Sequence, residues 1–249
     1  VTDPDGHGGA VPPGPDDGDA APAEPTPGPL AALRPLAAGE VAVTDELDHL
    51  ELYTMGGLLT LLWHGRADLA DVVVMCGGAM GGLLGPARGA YHQLGVEWTA
   101  ADIGTIRVGY RQPGDLDACV HDVLAAAEMS ARRGARRFVV VGHSFGGAVA
   151  VRAGVALGAD AAGVVTLATQ APGCEQGDEL VCPALHVHGD ADTILPAMSS
   201  QAVQMLTDGE LVILPGVGHL LDEAADDVVA RLRGWIPTRF AEHRERTGG

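Results

Sequence analysis

The stretch that decides the fold is Arg137 to Gly154, "RFVVVGHSFGGAVAVRAG". A run of apolar residues ends at Gly142, Ser144 follows two residues later, Gly146 stands two residues after that, and a small-residue segment comes next. An apolar run closed by glycine reads as a buried strand, and "FGGAVAVRAGVALG" reads as a helix, so Ser144 falls on the turn between them. A serine hydroxyl is a weak nucleophile at neutral pH unless a base takes its proton. The reading therefore turns on whether the rest of the chain supplies a base and an acid at the same place. Chance is the competing explanation for G-x-S-x-G alone, since 36 of the 249 residues are glycine.

Outward from this stretch, the chain alternates strand-like and helical segments. "DVVVMCGG", "TIRVGY", "GVVTLAT", "ALHVHGD" and "ELVILPG" are largely continuous apolar runs, the pattern of parallel strands covered on both faces. "HLELYTM" and "LLTLLWH" read as an antiparallel opening pair turned at Gly56-Gly57. Between the parallel strands lie the helical stretches "LDACVHDVLAAAEMSARRG", "PAMSSQAVQMLTDG" and "DEAADDVVARLRGWI". The first puts Leu116, Cys119, Val120, Val123, Leu124 and Ala127 on one stripe, with acids and arginines opposite. The expectation is one α/β domain over residues 41–240 with a mostly parallel sheet and helices on both faces. Residues 1–40 carry eight of the sixteen prolines up to Pro29 and few large apolar side chains, and read as a disordered tail. Residues 241–249 read as a short C-terminal tail.

Composition narrows the partners. A net charge of −18 repels phosphate backbones and anionic lipid, which argues against nucleic acid and membrane surfaces. No apolar run approaches the ~20 residues that a bilayer span needs, and no basic segment precedes an apolar one at the start. Four cysteines without C-x-x-C spacing suit a reducing compartment, so the expected setting is cytoplasmic. All fifteen basic residues are arginine, which carries no functional weight.

Open parallel sheets place their sites at the C-terminal ends of the strands. There the loop after "ALHVHG" offers Asp192, and the loop after "ELVILPG" offers His219. Asp190 is the alternative acid, and a turn or helix cap is the alternative role for Asp192. Asp222 reads as a cap for the last helix. His143, beside the serine, reads as a packing or hydrogen-bonding residue and not as a base. The order Ser144, Asp192, His219 is that of the α/β-hydrolase arrangement and differs from the trypsin and subtilisin orders.

"GHSFGG", "HGDADTILP" and "LPGVGH" make the chain from about Val41 to Phe240 resemble the α/β-hydrolase superfamily, nearest its small dienelactone-hydrolase-like esterases. It departs from dienelactone hydrolase in having serine where that enzyme has cysteine. The resemblance implies an α/β-hydrolase fold with minimal or no cap domain. It also implies a Ser-His-Asp triad of Ser144, His219 and Asp192, no cofactor, and a small-molecule ester-type substrate. An oxyanion hole would be built from the backbone N–H of Phe145 and of a residue on "CGGAMGGLLGPARG". Aligning the family's His-Gly with Gly77-Gly78 makes that residue Ala79, with Met80 next. Only about fifteen residues separate "GVVTLAT" from "CPALHVHG", too few for a large lid. Small or soluble esters, lactones or thioesters are the expected substrates. Anionic ones would need Arg88, Arg107 or Arg111 near the mouth.

Two other readings stand beside this one. "HVHGDAD" resembles the opening of the H-x-H-x-D-H metal motif through His186, His188 and Asp190, although Ala191 replaces its final histidine. A metal site needs three or four converging donors. The second reading is a hydrolase fold kept as a binding module without turnover.

Overall fold

The computed structural model describes residues 27–248. Among these residues nine strands form a single sheet in the order β1-β2-β3-β5-β4-β6-β7-β8-β9. The three N-terminal strands are antiparallel: β1 (Ala37–Thr44), β2 (Leu47–Thr54) and β3 (Gly57–His64). β3 pairs antiparallel with β5 (Ile103–Gly109), and from there every pairing is parallel. The parallel strands are β5, β4 (Asp71–Cys76), β6 (Arg137–His143), β7 (Ala161–Leu167), β8 (Ala184–Gly189) and β9 (Glu210–Leu214).

Six helices accompany the sheet among the described residues: α1 (Pro29–Ala32), α2 (Pro86–Thr99), α3 (Leu116–Arg132), α4 (Phe145–Leu157), α5 (Met198–Thr207) and α6 (Ala225–Thr247). β4 shows how the two layers arise. Its Val72, Val74 and Cys76 join one apolar core with residues of α3 and α4. Its Val73 and Met75 join the other core with residues of α2 and α6. Period-two alternation along a strand whose six residues are all buried gives each face its own core, which is why the strand reads as one apolar run.

The chain leaves β4 toward β5 on one side and returns to β6 on the other. The crevice beyond the ends of β4 and β6 is thus the sheet's switch point, where loops diverge and leave room for a ligand. The loop after β4 and the turn carrying Ser144 both open there.

Several expectations are corrected. The boundary at residue 41 lies too late. For residues 1–26 the expected disorder falls outside the described residues, but residues 27–40 contain α1 and the start of β1. Leu33, which caps α1, is buried in the core and Leu30 packs against it. The Leu30 N–H also donates to Glu128 Oε2 at 2.7 Å, and His121 Nε2 donates to the Pro29 carbonyl at 2.7 Å. At the other end, most of the expected tail is helix: residues 241–247 form the last turns of α6, and residue 249 lies outside the described residues. His243 is buried and donates through Nε2 to Ala159 O at 2.8 Å, while Arg244 pairs with Asp71 at the start of β4.

On α3, Asp122 lies inside and not on the expected polar face. It is wholly buried and accepts from Arg111 Nε at 2.5 Å and from the Arg111 N–H at 2.8 Å. Helix α2 is absent from the helical segments read in the sequence. Its glycines at 85, 89 and 95 look like loop, yet Gly95 is where the helix backbone closes on the sheet. A Cβ there would stand 2.9 Å from both His64 and Thr105. No described helix is long and apolar enough to cross a membrane.

Candidate active site

Ser144 follows β6 directly and precedes α4, with φ 56° and ψ −122°. Positive φ at a residue with a Cβ is strained by about 1–3 kcal/mol and persists only where the surroundings dictate it. Here they do. A Cβ on Gly142 would lie 1.8 Å from Gly146 O, and one on Gly146 would lie 2.2 Å from Gly77 O. Neither glycine can carry a side chain, so the spacing of the motif follows from the sharpness of the turn. The serine backbone is pinned as well. Its N–H donates to Leu167 O at 2.8 Å, and its carbonyl accepts from Gly147 N at 2.9 Å and from Thr169 Oγ1 at 3.3 Å.

Asp192, after β8, and His219, after β9, meet at the same edge. His219 Nδ1 donates to Asp192 Oδ2 at 2.6 Å. The Asp192 side chain is fully buried and that of His219 is 11% exposed. Burial alone would push the Asp192 carboxyl up. The Leu195 N–H, the His219 side chain and the Ile194 N–H outweigh it and hold the group below its usual range. The alternative acid is occupied elsewhere, since Asp190 Oδ1 accepts from Gly216 N at 2.6 Å and ties the two loops together. Asp222 does not cap α6 as expected; its Oδ1 accepts from Arg88 N at 2.8 Å.

His143, the last residue of β6, packs against His219. Its ring centroid is 4.9 Å from that of His219, and its Nε2 donates to the His219 carbonyl at 3.0 Å. Burial lowers its pKa to about 4, which keeps the ring neutral and makes it a clamp on the His219 loop. The Ser144 hydroxyl and the His219 imidazole line one cavity without a hydrogen bond joining them; the side-chain bond of His219 runs to Asp192.

The loop after β4 forms the facing wall. Phe145 begins α4 immediately after the serine. Ala79 lines the cavity with Gly77 and Gly78. The backbone closest to the serine is that of Gly78, where a Cβ would stand 3.5 Å from Ser144 Cβ. Met80 is almost entirely exposed. Two tyrosines that the sequence reading does not single out hold this loop from below. Tyr91 OH donates to Cys76 O at 3.0 Å, and Tyr110 OH to Gly77 O at 3.2 Å.

The cavity measures about 600 Å³ and has an apolar wall of Leu83, Leu84, Pro86, Ile194 and Leu220. A neighbouring cavity of about 360 Å³ shares Leu84, Pro86 and Leu220 and adds Arg88 and His92. Of the three arginines considered for anionic substrates, Arg88 alone lines this space. Arg107 is buried with its Nη2 donating to His64 Nε2 at 2.8 Å, and Arg111 is held by Asp122. The connection between β7 and β8 contains one short helical turn, Glu175–Glu179, and no cap domain.

The residues of the metal reading diverge. His186 bonds Thr166 and Thr207, and His188 bonds Ser200, Asp192 and Leu195, while Asp190 faces Gly216. Among the described residues, no three histidine, cysteine or acidic side chains converge on a metal position.

Comparisons with known proteins agree with the fold. Residues 118–226 match the family model described as phospholipase/carboxylesterase. No curated protein matches the chain by sequence. Among solved structures, Est1E from Butyrivibrio proteoclasticus is similar with a TM-score of 0.66 at 14% identity, over 78% of this chain and 99% of that one. XC6422 from Xanthomonas campestris, described as an α/β serine hydrolase without lid, is similar with a TM-score of 0.63 at 20% identity, over 79% and 98%. A dienelactone hydrolase from Anabaena variabilis gives 0.60 at 16% identity, over 80% and 95%. The chain has the α/β-hydrolase fold. Its likeness lies with hydrolases of the carboxylesterase and dienelactone-hydrolase kind.

Proposed function

We propose that this protein is a serine hydrolase that cleaves small or soluble esters, lactones or thioesters through an acyl-enzyme. The observation that carries the reading is the buried Asp192–His219 pair at 2.6 Å, whose histidine lines the same cavity as a serine held in a strained turn. The family likeness to phospholipases and carboxylesterases supports ester hydrolysis as the reaction class.

In the proposed mechanism, a turn of the Ser144 side chain brings Oγ to His219 Nε2, which takes its proton as Oγ attacks the substrate carbonyl. Asp192 accepts from Nδ1, fixes the tautomer that leaves Nε2 free to accept, and stabilises the imidazolium that forms. The carbonyl oxygen becomes an oxyanion held by the Phe145 N–H and by a second N–H from the loop after β4. Ala79 is the proposed donor, and the closeness of Gly78 to the serine makes that residue the competing one. His219 returns its proton to the leaving group. Water, activated by the same imidazole, then releases the acid.

An open mouth and an apolar wall favour uncharged esters of moderate size. The lidless description of XC6422 belongs to that protein, and the short β7–β8 connection here supports the same openness. The test is hydrolysis of nitrophenyl esters of rising acyl length by the intact protein and by Ser144→Ala. Hydrolysis by the former alone, strongest for short and medium chains, is expected. Equal rates for the two proteins would contradict the proposal and favour a binding role without turnover.

A further inference from the structure

We infer that His188 is a positioning residue of this site, holding Asp192 from the side opposite His219 and setting how strongly the acid can support a charged imidazole. The inference rests on the proposed triad.

His188 is the next-to-last residue of β8 and is fully buried. Its Nε2 faces two acceptors, Leu195 O at 3.0 Å and Asp192 Oδ2 at 3.1 Å, and its Nδ1 faces Ser200 Oγ on α5 at 2.7 Å. Two oxygens without protons opposite Nε2 place the ring's hydrogen there, so Nδ1 accepts from the Ser200 hydroxyl. A core histidine would be satisfied by Ser200 and Leu195 alone. The third contact, to the oxygen that also receives His219 Nδ1, ties it to the chemistry.

The Asp192 carboxylate is thereby saturated. Oδ1 accepts from the N–H groups of Ile194 at 2.8 Å and Leu195 at 2.9 Å, and Oδ2 from His219 and His188. Four donors occupy about four lone-pair positions, which fixes the carboxylate plane. Each donor also draws on the negative charge that His219 needs when it becomes an imidazolium. The other titratable groups around this cluster are His143 from β6, Asp190 on the same loop, and Glu223, whose Oε2 accepts from Gly218 N.

Nuclear magnetic resonance of the histidine rings tests the inference without substrate, on the intact chain and on two variants. In His188→Leu the acid loses one donor, so the His219 ring should titrate about one pH unit higher. The acid limb of kcat/KM should move with it. In His188→Gln an amide N–H replaces the ring donor and both values should return toward those of the unaltered protein. An unchanged His219 titration in His188→Leu, or the same shift in both variants, would overturn the inference. If the leucine variant does not fold, the unaltered protein decides: a ring hydrogen on Nε2 of His188 supports the assignment, and one on Nδ1 refutes it. Absence of ester hydrolysis by the unaltered protein would sink the proposed function instead, because the ring titration is read independently of turnover.

Discussion

Replacing Asp192 by asparagine separates the acid's structural work from its proposed catalytic work. The carboxylate accepts four hydrogen bonds, two on each oxygen. Asparagine has one acceptor oxygen and one NH2 group, so one pair of donors must face a donor. If the oxygen stays with Ile194 and Leu195, the NH2 group confronts His219 Nδ1, which must shed its proton and carry it on Nε2. That nitrogen then donates toward Ser144 and can no longer act as base. The loss of a buried charge-assisted bond is worth about 1.5–3 kcal/mol. With the tautomer also reversed, kcat should fall by about three orders of magnitude, or about 4 kcal/mol at 1.36 kcal/mol per tenfold. If the amide turns the other way, the loop loses two bonds and stability falls by about 1–3 kcal/mol. Steady-state kinetics on a nitrophenyl ester beside urea denaturation reads both quantities. A kcat within tenfold of the unaltered protein, with the fold intact, would refute the acid's role.

Two further outcomes follow from burial and from close packing. His64, His143 and His186 are buried, and burial lowers each pKa to about 4. Their folded values lie below the unfolded value of about 6.5, so the unfolded chain binds their protons first. Stability is full above about pH 6.5 and should fall by about 1–2 kcal/mol per histidine by pH 5; urea midpoints at pH 7.5 and 5 measure it, and equal midpoints would contradict the burial argument. Gly146→Ala would place a methyl 2.2 Å from the Gly77 carbonyl, a backbone atom that cannot swing aside. The variant should be destabilised by roughly 3 kcal/mol or more, and a thermal midpoint equal to that of the unaltered protein would show that the turn is looser than described.

Much of the sheet was legible because parallel strands buried on both faces leave unbroken apolar runs. "DVVVMC" and "RFVVVGH" are such runs, and they become β4 and β6. β1 was not legible for the converse reason: all eight of its residues are exposed, and it is held by backbone pairing to β2, which leaves no apolar pattern to read. α2 was hidden by its glycines, of which Gly95 serves a close approach to the sheet that only the folded chain shows. At the site, strand order put Ser144, Asp192 and His219 at one edge, but spacing along the chain gives no distances. The contact of His143 depends on a partner 76 residues away, the His219 carbonyl, and that of His188, although Asp192 is only four residues along, on a carboxylate that the fold makes it share with His219. The loop after β4, proposed to supply an oxyanion donor, lacks the histidine by which the family's register is usually aligned, so the nearness of Gly78 to the serine emerged only with the backbone in place.

Covalent modification tests the proposed chemistry most directly. Incubated with a serine-directed fluorophosphonate, the folded protein should gain one adduct per chain, located on the peptide carrying Ser144. His219→Ala should take it up far more slowly and Ser144→Ala not at all. An unmodified Ser144, or labelling whose rate is indifferent to His219, would contradict an activated nucleophile at this turn.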